Sequence, residues 1–398
     1  MMHYRRFGRT EIRMPVFTCG GMRYQFKWQD TPLEQIPEDN QRNLEDTIRR
    51  ALDLGINHIE TARGYGSSER QLGVILPTVP RDSIIVQTKV GPEEDGARFR
   101  ENVLDSLARL RLEYVDLLAI HGINDEQGLQ WSVRPGGCLE QARRLQDEGR
   151  TRFVGFSTHG PLDIILRAIR TEDFGGFDYV NLHWYYIFQR NWPAIEEARR
   201  RDMGVFIISP SDKGGMLYRP PEKLARLCAP LHPMAFNDLW CLSRSEVHTL
   251  SVGAARPSDF DCHVEALDLW DVRERLLPAI EARLQAAMKD ALGEDFAARW
   301  EEGLPDWQDV PGQINIKSIL WLHNLLKAYD LEEYARMRYN LLGNGGPWFP
   351  GRNMSNLPEE GLGDALARSP FRDRIPAMLQ ETHARLWREP KKRLSQGG

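Results

Sequence analysis

The chain has 398 residues and a formal net charge of -5, from 52 basic and 57 acidic residues. This mild acidic excess argues against a nucleic-acid or anionic-membrane surface, because both call for a basic patch. The length exceeds what a single compact domain commonly holds, so we expect a large domain and a smaller one.

The five cysteines are scattered without a Cys-x-x-Cys pair, at positions 19, 138, 228, 241 and 262. Such an odd, unpatterned set indicates reduced thiols rather than a disulfide framework. The N-terminus lacks the apolar segment of a signal peptide, and no stretch of about 18 apolar residues could span a membrane. We therefore expect a cytoplasmic protein without a membrane segment.

The opening stretch YRRFGRTEIRMPVF predicts two strands joined by a Gly-Arg-Thr turn, which is a β-hairpin. Eight short apolar stretches then alternate with amphipathic helical stretches. They cover residues 13–21, 56–62, 83–90, 114–122, 151–158, 177–184, 204–211 and 248–255. Their β-branched character suggests a parallel sheet covered on both faces. Eight parallel βα units close naturally into a (βα)8 TIM barrel of about 250 residues.

A doubly wound sheet is the alternative α/β fold, but it needs a glycine-rich GxGxxG first turn that the chain lacks. After about residue 264 the strand pattern stops and amphipathic helices follow one another. We therefore expect an α/β chain of two domains. The barrel would cover residues 1–268, and a helical C-terminal domain would cover residues 269–398.

Polar side chains follow three neighbouring strands of the expected barrel. Glu60 comes after the second strand, Lys89 after the third and His121 after the fourth, and Tyr65 lies one short loop past the second. Active-site residues of such barrels gather at these strand ends. An ammonium close to a phenol lowers the pKa of the phenol, and a carboxylate can fix that ammonium. With a histidine that donates a hydrogen bond to a carbonyl oxygen, the pattern predicts a carbonyl reductase with Tyr65 as proton donor.

At these residues the chain resembles an aldo-keto reductase. The second-strand motif of that family, Asp-Thr-Ala-x-x-Tyr-Gly-x-x-Glu, stands here as ETARGYGSSE over residues 60–69, and its lysine and histidine fall on Lys89 and His121. The resemblance runs from about residue 4 to about residue 265. It implies a barrel that binds NADP(H) in extended form and reduces an aldehyde or ketone to an alcohol, with Glu60, Tyr65, Lys89 and His121 as the catalytic residues.

The resemblance also implies further cofactor contacts. The loop beneath the nicotinamide corresponds to Gly21 and Met22. The residues that hold its carboxamide correspond to Ser157, Thr158 and Asn181. The loop over the pyrophosphate corresponds to Ser209, Pro210, Ser211, Lys213 and Gly214. The adenosine end corresponds to Gly253, Ala254, Arg256, Asp259 and His263. We expect substrate contacts from Trp184 and Tyr185.

Three positions depart from the family pattern. Glu60 replaces the family aspartate, so the carboxylate has one extra methylene and must fold back to keep its pair with Lys89. Ile208 stands where many members have an aromatic residue over the nicotinamide, which leaves that face to another group such as Trp184. Cys262-His263 replaces a Glu-Asn pair at the adenosine end. Arg256 can still neutralise a 2′-phosphate, which favours NADP over NAD.

The C-terminal region resembles a helical, ferredoxin-like extension found on one branch of the family, where cysteines hold iron–sulfur clusters. The last cysteine here is Cys262, so we expect no cluster and no metal. The expected partner is a small-molecule carbonyl substrate, and the chain would be a monomer or a homodimer. Two alternatives stay open: a cofactor-binding barrel with little catalysis that serves as a redox sensor or scaffold subunit, and a redox-neutral isomerase or dehydratase.

Overall fold

A computed structural model describes residues 1–359 and 361–389. These residues form two compact units. The first comprises residues 1–214 and 237–273, and the second comprises residues 215–236 together with the described residues from 274 to 389. The domain boundary at residue 268 stays a prediction, and the second unit includes a segment, 215–236, that the sequence analysis assigned to the barrel.

The strands of the described chain all lie in the first unit. They are β1 (Tyr4–Arg6), β2 (Arg13–Pro15), β3 (Phe17–Gly20), β4 (His58–Glu60), β5 (Ile85–Val90), β6 (Val115–His121), β7 (Thr151–Ser157), β8 (Tyr179–Leu182), β9 (Gly204–Ile207) and β10 (Thr249–Gly253). Strands β1 and β2 pair antiparallel as a hairpin. The other eight form a closed parallel barrel in the order β10-β3-β4-β5-β6-β7-β8-β9, which confirms the predicted hairpin and TIM barrel.

Helices connect the barrel strands, as a parallel sheet requires. Up to β10 they are α1 (Glu38–Asp53), α2 (Ser68–Ile75), α3 (Gly96–Leu110), α4 (Glu126–Val133), α5 (Cys138–Asp147), α6 (Leu162–Arg170), α7 (Trp192–Arg200), α8 (Glu222–Cys228) and α9 (Pro233–Leu242). After β10 come α10 (Asp261–Leu267), α11 (Arg273–Leu292), α12 (Glu294–Arg299), α13 (Ile316–Tyr329), α14 (Glu332–Tyr339) and α15 (Ile375–Leu386). None of these helices combines the length and hydropathy that crossing a bilayer demands.

Apolar side chains fill much of the interior of the barrel, from the hairpin up to Ile208 beside the strand C-termini. The buried cluster comprises Phe7, Ile12, Met14, Ile85, Leu117, Ala119, Tyr179, Phe206 and Ile208. Three of these come from the hairpin segment, and Phe7 lies with its ring centroid 5.7 Å from that of Tyr179. The hairpin therefore plugs one end of the cylinder, and the charged strand-end residues occupy the other.

The second unit is helical. Helix α13 is buried along most of its length, and His323 within it shares a 2.8 Å hydrogen bond with Thr382 of α15. The hydroxyl of Tyr339 on α14 lies 2.7 Å from Nδ1 of His383 on α15. These pairs join three helices into one packed group, and they satisfy polar atoms that burial would otherwise leave unpaired.

Candidate active site

The loop after β4 carries Tyr65 and is fixed by its neighbours. The backbone amide of Arg63 donates to the Lys89 carbonyl at 2.9 Å, which extends the β4–β5 pairing into the loop. Gly66 has a φ of 54°, and a Cβ there would lie 1.9 Å from the carbonyl oxygen of Lys27. Only glycine fits such a turn under a crossing backbone. Tyr65 is therefore held between β5 and the segment that follows β3.

Glu60 and Lys89 form an ion pair inside the barrel. Their side chains are 3% and 1% exposed, and Oε1 of Glu60 is in direct contact with Nζ of Lys89. The ammonium also donates to the Thr61 carbonyl at 2.7 Å. Burial lowers the pKa of the Lys89 ammonium, while the adjacent carboxylate favours its charged form. The longer acid thus does fold back onto the lysine.

Tyr65 and His121 complete the group. The Tyr65 ring lies 4.7 Å from Nζ of Lys89 and 5.7 Å from the His121 ring, which meets it edge-on. Its hydroxyl reaches Oε1 of Glu60 at 3.5 Å, the outer limit of a hydrogen bond. The structure therefore brings all four predicted catalytic residues together.

The protonation states differ in one respect from the sequence-based expectation. Burial raises the pKa of the Tyr65 phenol above its ordinary value, so burial outweighs the lowering expected from the nearby ammonium. Burial, followed by the charges of Lys89 and Lys213, lowers the pKa of His121 to about 3. At neutral pH the site thus holds a protonated phenol and a neutral imidazole.

These side chains line a cleft that opens to solvent. Its lining consists of Gly20, Met22, Arg23, Glu60, Tyr65, Lys89, His121, Ser157, His159, Ile208, Ser209, Ser211, Asp212, Lys213, Ser251 and Gly253. Of the predicted cofactor residues, it includes Met22, Ser157, Ser209, Ser211, Lys213 and Gly253. The remaining predicted cofactor residues lie outside the lining.

Several of these outlying residues have structural partners. The Gly21 amide donates to the Glu60 carbonyl at 2.7 Å, and the Thr158 hydroxyl donates to the Ile123 carbonyl at 2.7 Å. Pro210 accepts a hydrogen bond from Asn237, and a Cβ on Gly214 would lie 1.9 Å from the Pro210 carbonyl oxygen. These contacts shape the loops around the cleft. Their roles toward a cofactor stay predictions.

Some of the residues predicted at the adenosine end are buried, so they do not form an open binding surface. His263 is 3% exposed and lies 2.5 Å from a carboxylate oxygen of Asp238. Ala254 is fully buried. Arg256 is exposed and pairs with Asp259 at 3.2 Å, so this guanidinium lies on the surface. The geometry favours Arg256 over His263 as an adenosine-end contact.

The residues present fit a nicotinamide cofactor. Asn181 is fully buried at the end of β8, and within the described chain neither its amide oxygen nor its amide nitrogen has a hydrogen-bond partner. The hydroxyl of Ser211 is likewise unpartnered within the described chain. A buried amide without partners suits a carboxamide ligand, and the cationic Arg23 and Lys213 in the cleft suit a pyrophosphate.

The predicted substrate residues lie elsewhere. Trp184 is 2% exposed and stacks on Trp240 with ring centroids 4.3 Å apart, and Tyr185 is 1% exposed. Neither side chain lines the cleft. Their role as substrate contacts stays a prediction that this geometry does not favour, and Trp184 packs in an aromatic cluster rather than over the face left open by Ile208.

The same region holds a histidine pair that was not predicted from the sequence. Nζ of Lys213 lies 3.1 Å from Nδ1 of His159 and 3.1 Å from Nε2 of His183, and the two imidazole rings are 4.4 Å apart. His183 directly follows β8 and His159 lies two residues past the end of β7. The rule that identified His121 could therefore have identified them too. Ser251 of β10, also missed, lies beside Glu60.

Comparisons with known proteins agree with this geometry. The sequence profile of the aldo/keto reductase family matches residues 18–220. The L-galactose dehydrogenase of Arabidopsis thaliana is 36% identical over 269 residues, covering 60% of this chain and 83% of that enzyme. The L-glyceraldehyde 3-phosphate reductase of Escherichia coli K12 is 28% identical over 176 residues, covering 40% of this chain and 46% of that enzyme.

Among solved structures, the holo form of an aldo-keto reductase from Bacillus halodurans superposes with a TM-score of 0.58 at 21% identity, over 71% of this chain and 96% of that one. At this identity the likeness supports the barrel alone. The family profile, the 36% identical dehydrogenase and the barrel agree. The chain therefore belongs to the aldo/keto reductase family of oxidoreductases.

Proposed function

We propose that the protein is an NADPH-dependent reductase that converts an aldehyde or ketone into an alcohol, with Tyr65 as the proton donor. The observation that carries the proposal is the meeting of Tyr65, Lys89, Glu60 and His121 in one cleft. Reduction of a carbonyl needs a hydride at carbon and a proton at oxygen. When bound, the reduced nicotinamide supplies the hydride.

The protonation states in the cleft suit the reductive direction. Tyr65 holds its proton at neutral pH because burial raises the pKa of the phenol. As the carbonyl carbon receives a hydride, negative charge develops on the oxygen, and the Tyr65 hydroxyl transfers its proton there to form the alcohol. The neutral imidazole of His121 donates one hydrogen bond to the same oxygen and stabilises that charge. The phenolate left on Tyr65 regains a proton from solvent through the open cleft.

Ser157 and Asn181 would hold the carboxamide of the cofactor, and Lys213 and Arg23 would lie near its phosphates. The buried, unpartnered amide of Asn181 supports this assignment, because a ligand amide would satisfy both of its polar atoms. The preference for NADP rests on Arg256, whose exposed guanidinium can pair with a 2′-phosphate.

The relatives suggest a substrate class. One is named for L-galactose and another for L-glyceraldehyde 3-phosphate, which are hydroxylated carbonyl compounds or their cyclic forms. The cleft, with its hydroxyl, imidazole and ammonium groups, suits such polar substrates. We therefore propose hydroxylated aldehydes as the first compounds to test, followed by aromatic aldehydes and quinones.

The test is turnover of NADPH by the pure protein with this panel, followed at the absorbance band of the reduced cofactor. We expect Tyr65→Phe to lower kcat by about 100-fold or more, because general acid catalysis contributes about 10²- to 10⁴-fold. Tyr114→Phe is the matched control, since this ring lies against Arg81 far from the cleft lining. Unchanged turnover in Tyr65→Phe would contradict the proton-donor role. Cofactor binding without turnover of any carbonyl would favour a sensor or scaffold instead.

A further inference from the structure

The two carboxylate oxygens of Glu60 have different partners on opposite sides. Oε1 contacts the Lys89 ammonium and lies 3.5 Å from the Tyr65 hydroxyl. Oε2 accepts a hydrogen bond from the Ser251 hydroxyl, also at 3.5 Å. Ser251 belongs to β10, which is separated from β4 in the barrel by β3. The carboxylate therefore has a partner on each side.

A second partner matters because Glu60 is longer than the aspartate it replaces. The extra methylene adds a rotatable bond, so the carboxylate has more rotamers available than an aspartate has. The contact with Lys89 fixes Oε1, but the carboxylate can still rotate about this contact and change the position of Oε2. A partner for the other oxygen selects the rotamer in which Oε1 also faces the Tyr65 hydroxyl.

The absence of a side chain at Gly20 makes this contact possible. Gly20 lies on β3, in register with Glu60 on one side and with Gly253 of β10 on the other. A Cβ on Gly20 would lie 2.5 Å from Oγ of Ser251 and 3.3 Å from Oε2 of Glu60. The serine and the glutamate thus meet across a strand because the residue between them has no side chain.

We propose that Ser251 is a positioning residue that holds the Glu60 carboxylate between the Lys89 ammonium and the Tyr65 hydroxyl. The inference rests on the proposed function, since it gives Ser251 a role through the proton donor. A carboxylate next to a phenol opposes ionisation of the phenol, because phenolate and carboxylate repel each other. Loosening the carboxylate displaces its contacts with the Lys89 ammonium and the Tyr65 hydroxyl, which lowers kcat, and it makes Tyr65 ionise at lower pH.

The experiment is a double-mutant cycle of Ser251→Ala and Glu60→Asp, measured as kcat for carbonyl reduction across pH. We expect Ser251→Ala to lower kcat about 10-fold, less than the roughly 100-fold that a 1 Å displacement can produce. The fall of kcat at alkaline pH should begin at lower pH in Ser251→Ala than in the wild type. In the Glu60→Asp background the shorter acid no longer reaches Ser251, so Ser251→Ala should change kcat less than about 2-fold.

Thr249→Val is the matched control, because it removes a hydroxyl from the same strand one layer deeper, where Thr249 contacts Thr18 rather than Glu60. It should leave the pH profile in place. Equal effects of Ser251→Ala in both backgrounds, or a Ser251→Ala enzyme identical to the wild type, would overturn the inference while the reductase function stands.

A wild type without turnover would instead contradict the proposed function. Crystal structures of the wild type and Ser251→Ala then decide the positioning role without any assay. A rotated or split Glu60 carboxylate in the variant supports the role, and an unmoved one refutes it.

Discussion

The same strands form both ends of the barrel, but one end is filled with apolar side chains and the other holds buried charges. At the hairpin end, Phe7, Met14 and Phe206 fill the cylinder with apolar atoms. At the other end, the continuing strands place a buried ammonium and a buried carboxylate within direct contact. The first arrangement stabilises the fold by removing apolar surface from water. The second carries an electrostatic penalty, since buried ions lose their hydration.

The two ends of this core therefore contribute differently, one to stability and the other to chemistry. The apolar end can supply the free energy of folding that lets the polar end hold groups chosen for chemistry. Between them lies a layer of buried hydroxyl and imidazole groups, in which Thr18 lies 2.7 Å from Nδ1 of His58 and 2.8 Å from the Thr249 hydroxyl. Substitutions in each layer should therefore separate stability from turnover.

The largest effect is expected from Lys89→Met, which affects both properties. It leaves the Glu60 carboxylate buried without its cation, which costs about 3–5 kcal/mol in the free energy of unfolding. Turnover should also fall, because Tyr65 loses its neighbouring charge. Denaturant unfolding and the reductase assay measure the two effects.

The combined Lys89→Met and Glu60→Leu variant should recover most of the stability but none of the turnover, because no unpaired charge then stays buried. Arg100→Ala is a control ion-pair deletion that should change the free energy of unfolding far less, since its pair with Glu148 is partly exposed and screened by solvent. Full stability in Lys89→Met alone would mean that the barrel interior tolerates an unpaired Glu60 carboxylate. The electrostatic penalty assigned to this end of the barrel would then be contradicted.

At the hairpin end, Phe7→Ala should lower stability alone. Phe7 is fully buried, and its ring occupies the space that a Cβ on Gly204 would enter, at 2.6 Å. Removing a buried phenylalanine costs about 3–5 kcal/mol. Turnover per folded molecule should stay within about 2-fold of the wild type, since the strand ends keep their register. A large loss of kcat at a temperature where the variant is folded would show that packing at the hairpin end also controls the active site.

The same contrast explains what the sequence could predict. The barrel was predictable because parallel strands covered on both faces read as short apolar runs, and eight of them recur between helical stretches. Glu60, Lys89 and His121 were predictable because each falls at the end of such a run. Tyr65 followed from its place in the short loop after β4. These are local patterns, and barrel closure converts them into one site.

Contacts between strands distant in sequence were not predictable. Ser251 and Glu60 are 191 residues apart, and they meet only because closure places β10 beside β3. The direction of the Tyr65 pKa was wrong for the same reason, since burial is a property of the whole fold.

The smallest effect is expected from the middle layer and depends on pH. Burial, assisted by the charge of Lys89, lowers the pKa of His58 to about 3. The unfolded chain binds a proton at about pH 6.5, so the folded state loses stability as pH falls from about 6.5 towards 3 and is unaffected above that window. Each pH unit in the window should remove up to about 1.4 kcal/mol through this one residue. His58→Gln abolishes that contribution, so its unfolding free energy, measured by denaturant titration between pH 7 and pH 5, should fall about 2 kcal/mol less than that of the wild type. If the unfolding free energies of His58→Gln and the wild type change equally with pH, His58 is accessible to protons in the folded state. The layer of Thr18, His58 and Thr249 would then be linked to solvent, as the cleft is.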